Sequence, residues 1–516
     1  MRSRSRAKSL FATLAVAGIA LGAASVASAT TDTTTPEDTA AAGTEAPAGT
    51  EAPAGTEAPA GTEAPAGTEA PTGTAGGEEG GAGAGAGSGS DSGIEGADLS
   101  GTEVSILSVE TSGSPEGDAM VTALNEFADA NGMTINFVGT GTFEDDIGQQ
   151  VAAGTPPDIA AFPQPGLLGS YARTGDVLPV PDDVLANASE NWPANWMSFG
   201  NVDGTQYSVP MKSDLKSLVW YLPASFAEKG YEVPQTLDEF FALTEQMIEN
   251  GDTPLCVGLE DGAATGWPFT DWVEELVVRN YGIDFYNQWW SHEIPFNSPE
   301  IVDTMQQVVD FWNTEGMVYA AGGSIVATAM GENGEPLVNG DCMMHRQASF
   351  YGAFITSAGA SFGEGDGQVS TFYFPANEGT PTLVGGIVPG AFRDAPEVWA
   401  VMQYLASPEF ANARQVAQSE INADVGVSGF LTANLNADGS LWNDLEQVWL
   451  DMLASGDPLA YDASDLMPGE VGTGTFWSEG VALVNGDEDA QTAADNIEAS
   501  WPASSGGEEA APTTGG

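Results

Sequence analysis

One segment of this chain cannot fold, and it limits the folded part to what remains. The hexamer TEAPAG occurs four times between residues 44 and 67, and the variant TEAPTG follows. A segment rich in proline, alanine, glycine and glutamate buries too little apolar surface to offset the entropy lost on ordering it. We therefore predict a disordered linker over residues 30–98 and a disordered tail over residues 502–516. Folding is then confined to residues 99–501, enough for two lobes of about 200 residues each.

The first 29 residues have the three parts of a secretory signal. Four basic residues precede an apolar stretch over residues 10–26, and Ala27, Ser28 and Ala29 form an A-x-A cleavage site. We therefore predict a signal peptide over residues 1–29 and an extracytoplasmic protein that is secreted, periplasmic or held at the cell surface. Retention of the uncleaved signal as a membrane anchor stays open as an alternative.

The charge balance excludes several classes of partner and site. The chain has 12 Lys plus Arg against 74 Asp plus Glu, for a formal net charge of −62. Nucleic-acid binding needs lysine and arginine at the phosphate backbone, so we expect no nucleic-acid partner. Two cysteines are too few for zinc ribbons, iron–sulfur sites or a disulfide-rich scaffold.

Short β-rich runs alternate with helical patterns along residues 99–501, which predicts an α/β fold. Strands are predicted over residues 104–109, 133–138 and 158–162, with helices between them, so this part begins βαβαβ. The second of these helices is predicted over residues 143–152. Further helices are predicted after a capping box at Thr236, near 269–281, 299–314 and 396–416, and towards residue 501.

The inventory of reactive residues argues against an enzyme. No G-x-S-x-G, GxxxxGK[ST] or H-E-x-x-H motif occurs, and His292 and His345 are the only histidines. With so many acidic residues, close carboxylate pairs of the glycosidase kind arise by chance and carry no weight. The 13 tryptophans are more informative, because indole faces stack on the C–H faces of sugars. Trp267 stands out because Pro268 and a helix start follow it.

Six long segments carry a family resemblance. In chain order they are VAAGTPPDIAAFPQPGLLGSYARTGDVLPVPDD, YSVPMKSDLKSLVWYLPASFAEKGYEVPQTLDEF, TPLCVGLEDGAATGWPFTDWVEELVVRNYG, HEIPFNSPEI, GDCMMHRQASF and DLMPGEVGTGTFW. Together they resemble the extracellular solute-binding proteins of carbohydrate ABC importers (family 1), and the last four resemble the alpha-glucoside-binding branch. The resemblance covers residues 102–501. It implies a two-lobed periplasmic-binding-protein fold of type II, with hinge strands crossing near residues 207–220, 383–392 and 425–430 and the ligand in the cleft between the lobes.

The resemblance also implies a set of ligand contacts, without a metal or cofactor. The aromatic members would stack on the sugar, the polar members would bind its hydroxyls, and the two glycines would let the backbone approach it. Each residue also has an ordinary interpretation as a core, loop or ion-pair residue. The candidates are Glu110, Thr142, Phe143, Gln164, Asp214, Lys216, Trp267, Arg346, Gln347, Gly385, Gly386, Phe476 and Trp477.

Cys256 and Cys342 both fall in the proposed second lobe. In an oxidising compartment they can form a disulfide, which would stabilise the fold by about 4–5 kcal/mol on the chain-entropy model. The alternative is a pair of buried free thiols.

These features predict a non-enzymatic, monomeric binding protein that captures an alpha-glucoside such as trehalose, maltose or sucrose. The lobes would close on the sugar, and the membrane permease of an ABC importer would receive it. Two alternatives remain open at this point: a secreted carbohydrate-active enzyme, and a tethered surface-adhesion protein.

Overall fold

The computed structural model describes residues 86–423, 427–456 and 458–502. The predicted signal peptide, the TEAPAG repeats and residues 503–516 of the predicted tail lie outside the described residues. No described helix is long and apolar enough to span a membrane.

Strands and helices alternate through the described residues. The strands are β1 Glu103–Ser108, β2 Thr134–Gly139, β3 Ile159–Phe162, β4 Asn201–Val202, β5 Thr205–Gln206, β6 Lys212–Leu215, β7 Leu218–Tyr221, β8 Leu255–Cys256, β9 Val318–Tyr319, β10 Met344–Arg346, β11 Ser370–Tyr373, β12 Thr382–Ala391 and β13 Leu459–Tyr461.

The helices range in length from four residues in α5 and α15 to 24 residues in α8. They are α1 Pro115–Asn131, α2 Phe143–Ala152, α3 Pro165–Thr174, α4 Asp182–Asn191, α5 Ala194–Met197, α6 Pro223–Lys229, α7 Leu237–Asn250, α8 Trp267–Trp290, α9 Pro299–Trp312, α10 Gly334–Asn339, α11 Gly352–Ser357, α12 Pro396–Leu405, α13 Pro408–Ile421, α14 Asp444–Ser455, α15 Ala463–Leu466, α16 Trp477–Asn485 and α17 Ala490–Ala499. Helix α8 is interrupted at Gly282, whose φ of 81° is not helical. A π-helical turn, Glu470–Phe476, leads directly into α16.

The first lobe is built on a six-stranded sheet of order β13-β12-β3-β1-β2, with β6 also paired to β12. Strands β2 and β3 both pair with β1 in parallel, which is the predicted βαβαβ start. Helices α1 and α13 pack against each other beside this sheet, and α12 packs on α4 and β1. Because β1, β2 and β3 run the same way, the loops after them meet at one edge of the sheet, where open α/β sheets bind ligands.

The second lobe is built on a separate five-stranded sheet of order β11-β7-β10-β8-β9. Its core contains aromatic side chains from α7, α8 and α9, such as Phe240, Trp272 and Trp312. Cys256 in β8 and Cys342 just before β10 are joined by a disulfide, with 5.5 Å between their Cα atoms. The bond ties the loop before β10 to the neighbouring strand.

Within the described residues, the chain passes between the two lobes three times. The first passage joins β6 to β7, the second joins β11 to β12, and the third leads from β13 to α15. A hydrogen bond connects the first passage to the second: the Leu383 N–H donates to Ser217 Oγ at 2.8 Å. The predicted passage near 425–430 lies partly outside the described residues, and the third passage is at β13. The structure is therefore the two-lobed α/β fold with crossing strands that the sequence predicts.

Helix boundaries show where local sequence decided the structure. Helix α2 spans Phe143–Ala152, as predicted, and the Thr236 side chain caps α7 by accepting from the Glu239 N–H. The single helix predicted near 396–416 is instead two helices, α12 and α13. Pro408 has no N–H to continue α12, and the Ser407 side chain caps the new helix by accepting from the Phe410 N–H.

Residues 86–98, assigned above to the linker, pack on the first lobe instead. Ala86 pairs with Thr205 of the β4–β5 hairpin, and the Ser92 N–H donates to Asp183 Oδ1 at 3.0 Å. Asp183 lies in the first turn of α4, and its other carboxylate oxygen accepts from the Ser92 hydroxyl. The packed part of the chain thus includes these residues, where serines replace the prolines of the repeat.

Candidate functional site

A cavity of about 300 Å³ lies between the two lobes. Its walls come from the loops after β1 and β3, from α2, from the crossing strands β6 and β12, and from α8, α15 and α16. The lining residues are Val109, Glu110, Thr111, Ser114, Glu116, Gly141, Glu144, Pro163, Gln164, Lys212, Asp214, Lys216, Asp261, Ala264, Trp267, Met330, Phe350, Phe354, Gly386, Ile387, Asp462, Ser464, Asp465 and Trp477.

Lys212, in the crossing strand β6, is surrounded by carboxylates of the first lobe. Its Nζ lies 3.4 Å from an oxygen of Glu116, 3.4 Å from Asp214 Oδ1 and 3.7 Å from Glu110 Oε1. Glu110 also accepts two hydrogen bonds from the Arg414 guanidinium, at 2.8 and 3.0 Å. Burial by itself would raise the pKa of Glu110, but Arg414 and Lys212 hold it below its usual value. Glu110 is therefore a charged lining residue whose carboxylate is held in place by Arg414.

Lys216 lies two residues beyond Asp214, on the same face of the crossing segment, and binds the second lobe. Its Nζ is 3.0 Å from Asp271 Oδ1 and 3.9 Å from Asp465 Oδ2, and it also donates to Asp462. Burial disfavours the ammonium, yet these carboxylates raise the pKa of Lys216 well above its usual value. The lysine is therefore charged and joins α8 to the third passage between the lobes.

Arg346 lies behind this cluster and does not line the cavity. Its guanidinium donates to Asp271 Oδ2 at 2.7 Å and to Glu275 Oε1 at 2.8 Å. All three side chains are buried. Arg346 therefore neutralises carboxylates of α8 and holds Asp271 in position for Lys216.

One group of carboxylates is close enough to ligate a metal ion. Single oxygens of Asp271, Glu274 and Asp462 lie within 4.8 Å of one another. Lys216 already pairs with two of these residues, and Glu274 accepts the backbone N–H groups of Ala463 and Ser464. The carboxylates are therefore satisfied by protein donors, with the lysine ammonium as their cation.

Two tryptophans of the second lobe form an aromatic wall. Trp267 Nε1 donates to Asp261 Oδ2 at 2.8 Å, and the Trp267 ring lies 6.0 Å from that of Phe350. Gly266, the residue before α8, has a φ of 116° and lies against the backbone of Trp477. A Cβ atom at this position would lie only 2.5 Å from the Trp477 carbonyl oxygen. Glycine is thus required at the contact between the two tryptophan segments.

Three buried polar atoms among the lining residues have no hydrogen-bond partner within the described residues. They are Gln164 Oε1 from the first lobe, Asp214 Oδ1 from the crossing strand and Trp477 Nε1 from the second lobe. Buried polar atoms are nearly always paired, because leaving one unpaired costs about 1–3 kcal/mol. Two acceptors and a donor, from all three parts of the site, are therefore available to a ligand that carries both donors and acceptors.

Seven of the predicted contacts line the cavity: Glu110, Gln164, Asp214, Lys216, Trp267, Gly386 and Trp477. They come from both lobes and from two crossing strands, so the fold brings together residues up to several hundred positions apart. Gly386 is needed for packing as well, since a Cβ there would lie 2.3 Å from the Lys212 carbonyl oxygen.

Two predicted aromatic contacts are in the core instead. Phe143 is fully buried and packs edge-on against Phe162, with 5.4 Å between ring centroids. Phe476 is also fully buried and packs against Phe296 at 4.8 Å. In each case the neighbouring residue along the chain faces the cleft, because successive residues of a helical turn point in different directions.

Four predicted polar or glycine contacts also lie outside the lining. Thr142 is exposed and donates to Asp146, and Arg346 is held by α8 as described above. The Gln347 side chain accepts from the Ala348 N–H. Gly385 lies next to the lining, where a Cβ atom would be 2.8 Å from Lys216 Cε, so its role is to make room for that lysine.

The sequence reasoning missed most of the acidic lining and one lysine. These residues are Glu116, Glu144, Lys212, Asp261, Asp462 and Asp465. For Lys212 a signal existed, because residues 212, 214 and 216 alternate and so share one face of a crossing strand. For the acids none existed, because 74 carboxylates in one chain leave no way to single out five.

Residues 112–412 match the family model of the bacterial extracellular solute-binding proteins. The chain belongs to this family. The family consists of solute-binding proteins, and membership implies a location outside the cytoplasm.

Among curated relatives, the protein is 36% identical over 387 residues to the osmoprotective compounds-binding protein GgtB of Synechocystis sp., covering 74% of this chain and 88% of the relative. It is 32% identical over 389 residues to the alpha-glucosides-binding periplasmic protein AglE of Rhizobium meliloti, covering 73% and 82%. Among solved structures, a chitin oligosaccharide binding protein superposes with a TM-score of 0.64 at 17% identity, covering 77% of this chain and 98% of the other. At that identity the likeness shows the fold alone.

Proposed function

We propose that the protein is the extracytoplasmic substrate-binding component of an ABC importer and captures an alpha-glucoside in the cavity between its lobes. The permease of the importer is its partner, and the protein acts as a monomer that returns the sugar unchanged. The observation that carries this proposal is the combination of an aromatic wall, Trp267 and Trp477, with buried acceptor oxygens on Gln164 and Asp214 that lack a hydrogen bond within the described residues.

This combination matches the chemistry of a sugar. The C–H faces of a pyranose pack on indole rings, and its hydroxyls donate to carboxylate and amide oxygens. A cavity of about 300 Å³ is at the small end of the range for sites that enclose a small molecule. The two curated relatives, whose names refer to osmoprotective compounds and to alpha-glucosides, support a small glucoside as the ligand class.

The unpaired atoms also support a closing mechanism. Gln164 belongs to the first lobe and Trp477 to the second, so one ligand satisfies both only when the lobes are together. Such a ligand stabilises the closed arrangement by the difference in its contacts with the two states. A permease that recognises the closed arrangement then receives only loaded protein.

Calorimetric titration tests the proposal on the secreted full chain. The panel contains trehalose, maltose, sucrose, the beta-linked cellobiose and a mixture of amino acids. We expect one-to-one binding of an alpha-linked disaccharide in the micromolar range, with cellobiose at least about tenfold weaker. Chromatography of the same mixture after several hours should return the disaccharide intact.

Other outcomes would overturn the proposal. Release of glucose would show a carbohydrate-active enzyme. Binding to polymers or cells without saturable binding of a small sugar would show an adhesion protein.

A further inference from the structure

Two carboxylates of the cavity have no basic partner within the described residues, and a third has only a distant one. Glu144 comes from α2 of the first lobe, Asp261 from the loop before α8, and Asp465 from α15. Within the described residues, neither Glu144 nor Asp261 has a lysine or arginine nitrogen within 4.0 Å. Asp465 has only Lys216, at 3.9 Å, and that ammonium is bound more closely by Asp271 and Asp462. This set is called the acidic triplet below.

Every basic residue after residue 29 already forms a closer ion pair elsewhere, so none neutralises the acidic triplet. After residue 29 the sequence has eight lysines and arginines, all within the described residues, and each forms an ion pair with an acidic side chain. They are Arg173, Lys212, Lys216, Lys229, Arg279, Arg346, Arg393 and Arg414. A cation that neutralises the triplet must therefore come from the ligand or from solution.

A second observation points into the same place. The Gln164 amide nitrogen donates to Glu144 Oε1 at 2.8 Å, which turns the amide oxygen of Gln164 away from that carboxylate. This oxygen is buried and has no partner within the described residues. An amide oxygen accepts hydrogen bonds and never donates them, so the group that meets it must be a donor. An ammonium group has three N–H donors and no acceptor.

The electrostatics of the triplet agree with this requirement. Burial raises the pKa of Glu144 and of Asp261, and it raises that of Asp465 well above its usual value. Repulsion between the members adds to the effect: Asp261 acts on Glu144, and Glu144 acts on Asp465. A positive charge placed among them would reverse this penalty, whereas a negative charge would increase it.

Resting on the function proposed above, we propose that the cavity prefers a glycoside carrying an ammonium group to the same glycoside without one, and rejects the glycoside carrying a carboxylate. The ammonium would lie among Glu144, Asp261 and Asp465 and donate to Gln164 Oε1. A small metal ion fits less well, because the triplet oxygens do not converge within 4.8 Å as those of Asp271, Glu274 and Asp462 do.

Calorimetry with matched ligands tests the inference on the full chain, at neutral pH and low salt with a chelator present. The probes are trehalose and maltose, their 2-amino-2-deoxy and 6-amino-6-deoxy derivatives, and their 6-carboxylate derivatives. At least one amino derivative should bind about tenfold more tightly than its parent, and the carboxylates about tenfold more weakly or not at all. The amino advantage should shrink in about 0.5 M salt.

Two variants locate the preference. In the double variant Glu144→Gln with Asp261→Asn, the ratio of amino to parent affinity should fall to about one. The control Glu249→Gln removes an exposed carboxylate of α7 that does not line the cavity, and should keep the wild-type ratio.

The outcomes separate this inference from the function on which it rests. If a parent disaccharide binds and no amino derivative binds more tightly, the inference is wrong and the proposed function stands. If the preference survives in the double variant, the acidic triplet is not its source. If no sugar of any charge binds, both fail together. Binding of calcium in a chelator-free titration that blocks the amino sugar would show that the triplet serves a metal ion instead.

Discussion

Lys212 and Lys216 lie four residues apart on the same crossing segment, and both are buried among carboxylates, but they do different things. Lys216 contacts Asp271 at 3.0 Å and also Asp462, which come from α8 and from the third passage. Lys212 has three acceptors, all at 3.4 Å or more, and leaves Asp214 Oδ1 without a hydrogen bond. The tightly paired cluster is suited to hold the passages together, and the loosely paired one to bind a ligand.

The largest effect should come from removing the tighter lysine. Lys216→Met leaves Asp271, Asp462 and Asp465 buried with Arg346 as the remaining cation nearby. Removing one partner of a buried ion pair costs about 3–5 kcal/mol, so the free energy of unfolding in urea should fall by that amount.

Lys212→Met should cost less, about 1–3 kcal/mol, because Glu110 keeps both bonds to Arg414. Equal losses for the two variants would contradict the distinction between the clusters.

The next effect concerns the aromatic wall. Trp267→Ala removes a stacking face and should weaken binding of the disaccharide found in the panel by about 30-fold in calorimetry. Trp290→Ala is the matched control, since this tryptophan is partly buried in the second lobe and does not line the cavity. Undiminished affinity in Trp267→Ala would show that the sugar lies elsewhere.

A smaller loss of affinity should come from the looser cluster. Asp214→Asn keeps the shape of the side chain but replaces one acceptor oxygen by a donor, so binding should weaken by about tenfold. The free energy of unfolding should fall by about 1–3 kcal/mol, less than for Lys216→Met, because Asp214 Oδ1 pairs with Lys212 Nζ only at 3.4 Å and Lys212 keeps Glu110 and Glu116. A large loss of stability with unchanged affinity would reverse the roles assigned to the two clusters.

The cluster around Lys216 should also make the free energy of unfolding depend on pH, through Asp465. Burial and repulsion by Asp462 hold the pKa of Asp465 well above 3.8 in the folded state. The wild type therefore loses stability as pH rises above 3.8 towards the folded-state pKa, because the folded protein resists losing this proton. Asp465→Asn has no proton to lose.

Urea unfolding at pH 5 and pH 8 checks this sign. The stability of the Asn variant relative to wild type should increase by at least about 1 kcal/mol between the two pH values. A difference that stays constant, or that decreases, would mean that Asp465 is not shifted upward.

The smallest effect should come from a lysine outside both clusters. Lys229 pairs with Asp252 at 2.7 Å, but its side chain is 38% exposed. Lys229→Met should therefore change the free energy of unfolding by less than about 1 kcal/mol. A loss as large as that of Lys216→Met would show that burial does not explain the difference among the lysines.

The fold could be predicted from the sequence where it depends on the spacing of apolar residues within one helix or strand. Helix α2 was predicted with its observed bounds, because Phe143 and Ile147 are four residues apart and face the core together. That same spacing marks Phe143 as a core residue rather than a ligand contact. Residues 86–98 were misassigned because their composition resembles the linker, while their partners, such as Asp183, lie about 90 residues away.

Only part of the site could be predicted from the sequence, because some of its residues stand out locally and others do not. Trp267 could be singled out by the proline and helix start that follow it, Trp477 by the family resemblance, and Lys216 as one of few lysines. Glu144, Asp261 and Asp465 belong to a background of 74 acids, and only the three-dimensional fold shows which of them meet. Arg346 was placed in the site because the resemblance implies it, yet its guanidinium binds Asp271 and Glu275 behind the cavity wall.

The most direct test of the central claim is a crystal structure of the secreted chain with the alpha-linked disaccharide that binds in calorimetry. The account predicts one sugar between the lobes, with a ring against Trp267 or Trp477 and hydroxyls within about 3.2 Å of Gln164 Oε1 and Asp214 Oδ1. A sugar bound outside this cavity, or a cavity whose Gln164 and Asp214 oxygens meet only water while the sugar is bound, would contradict it.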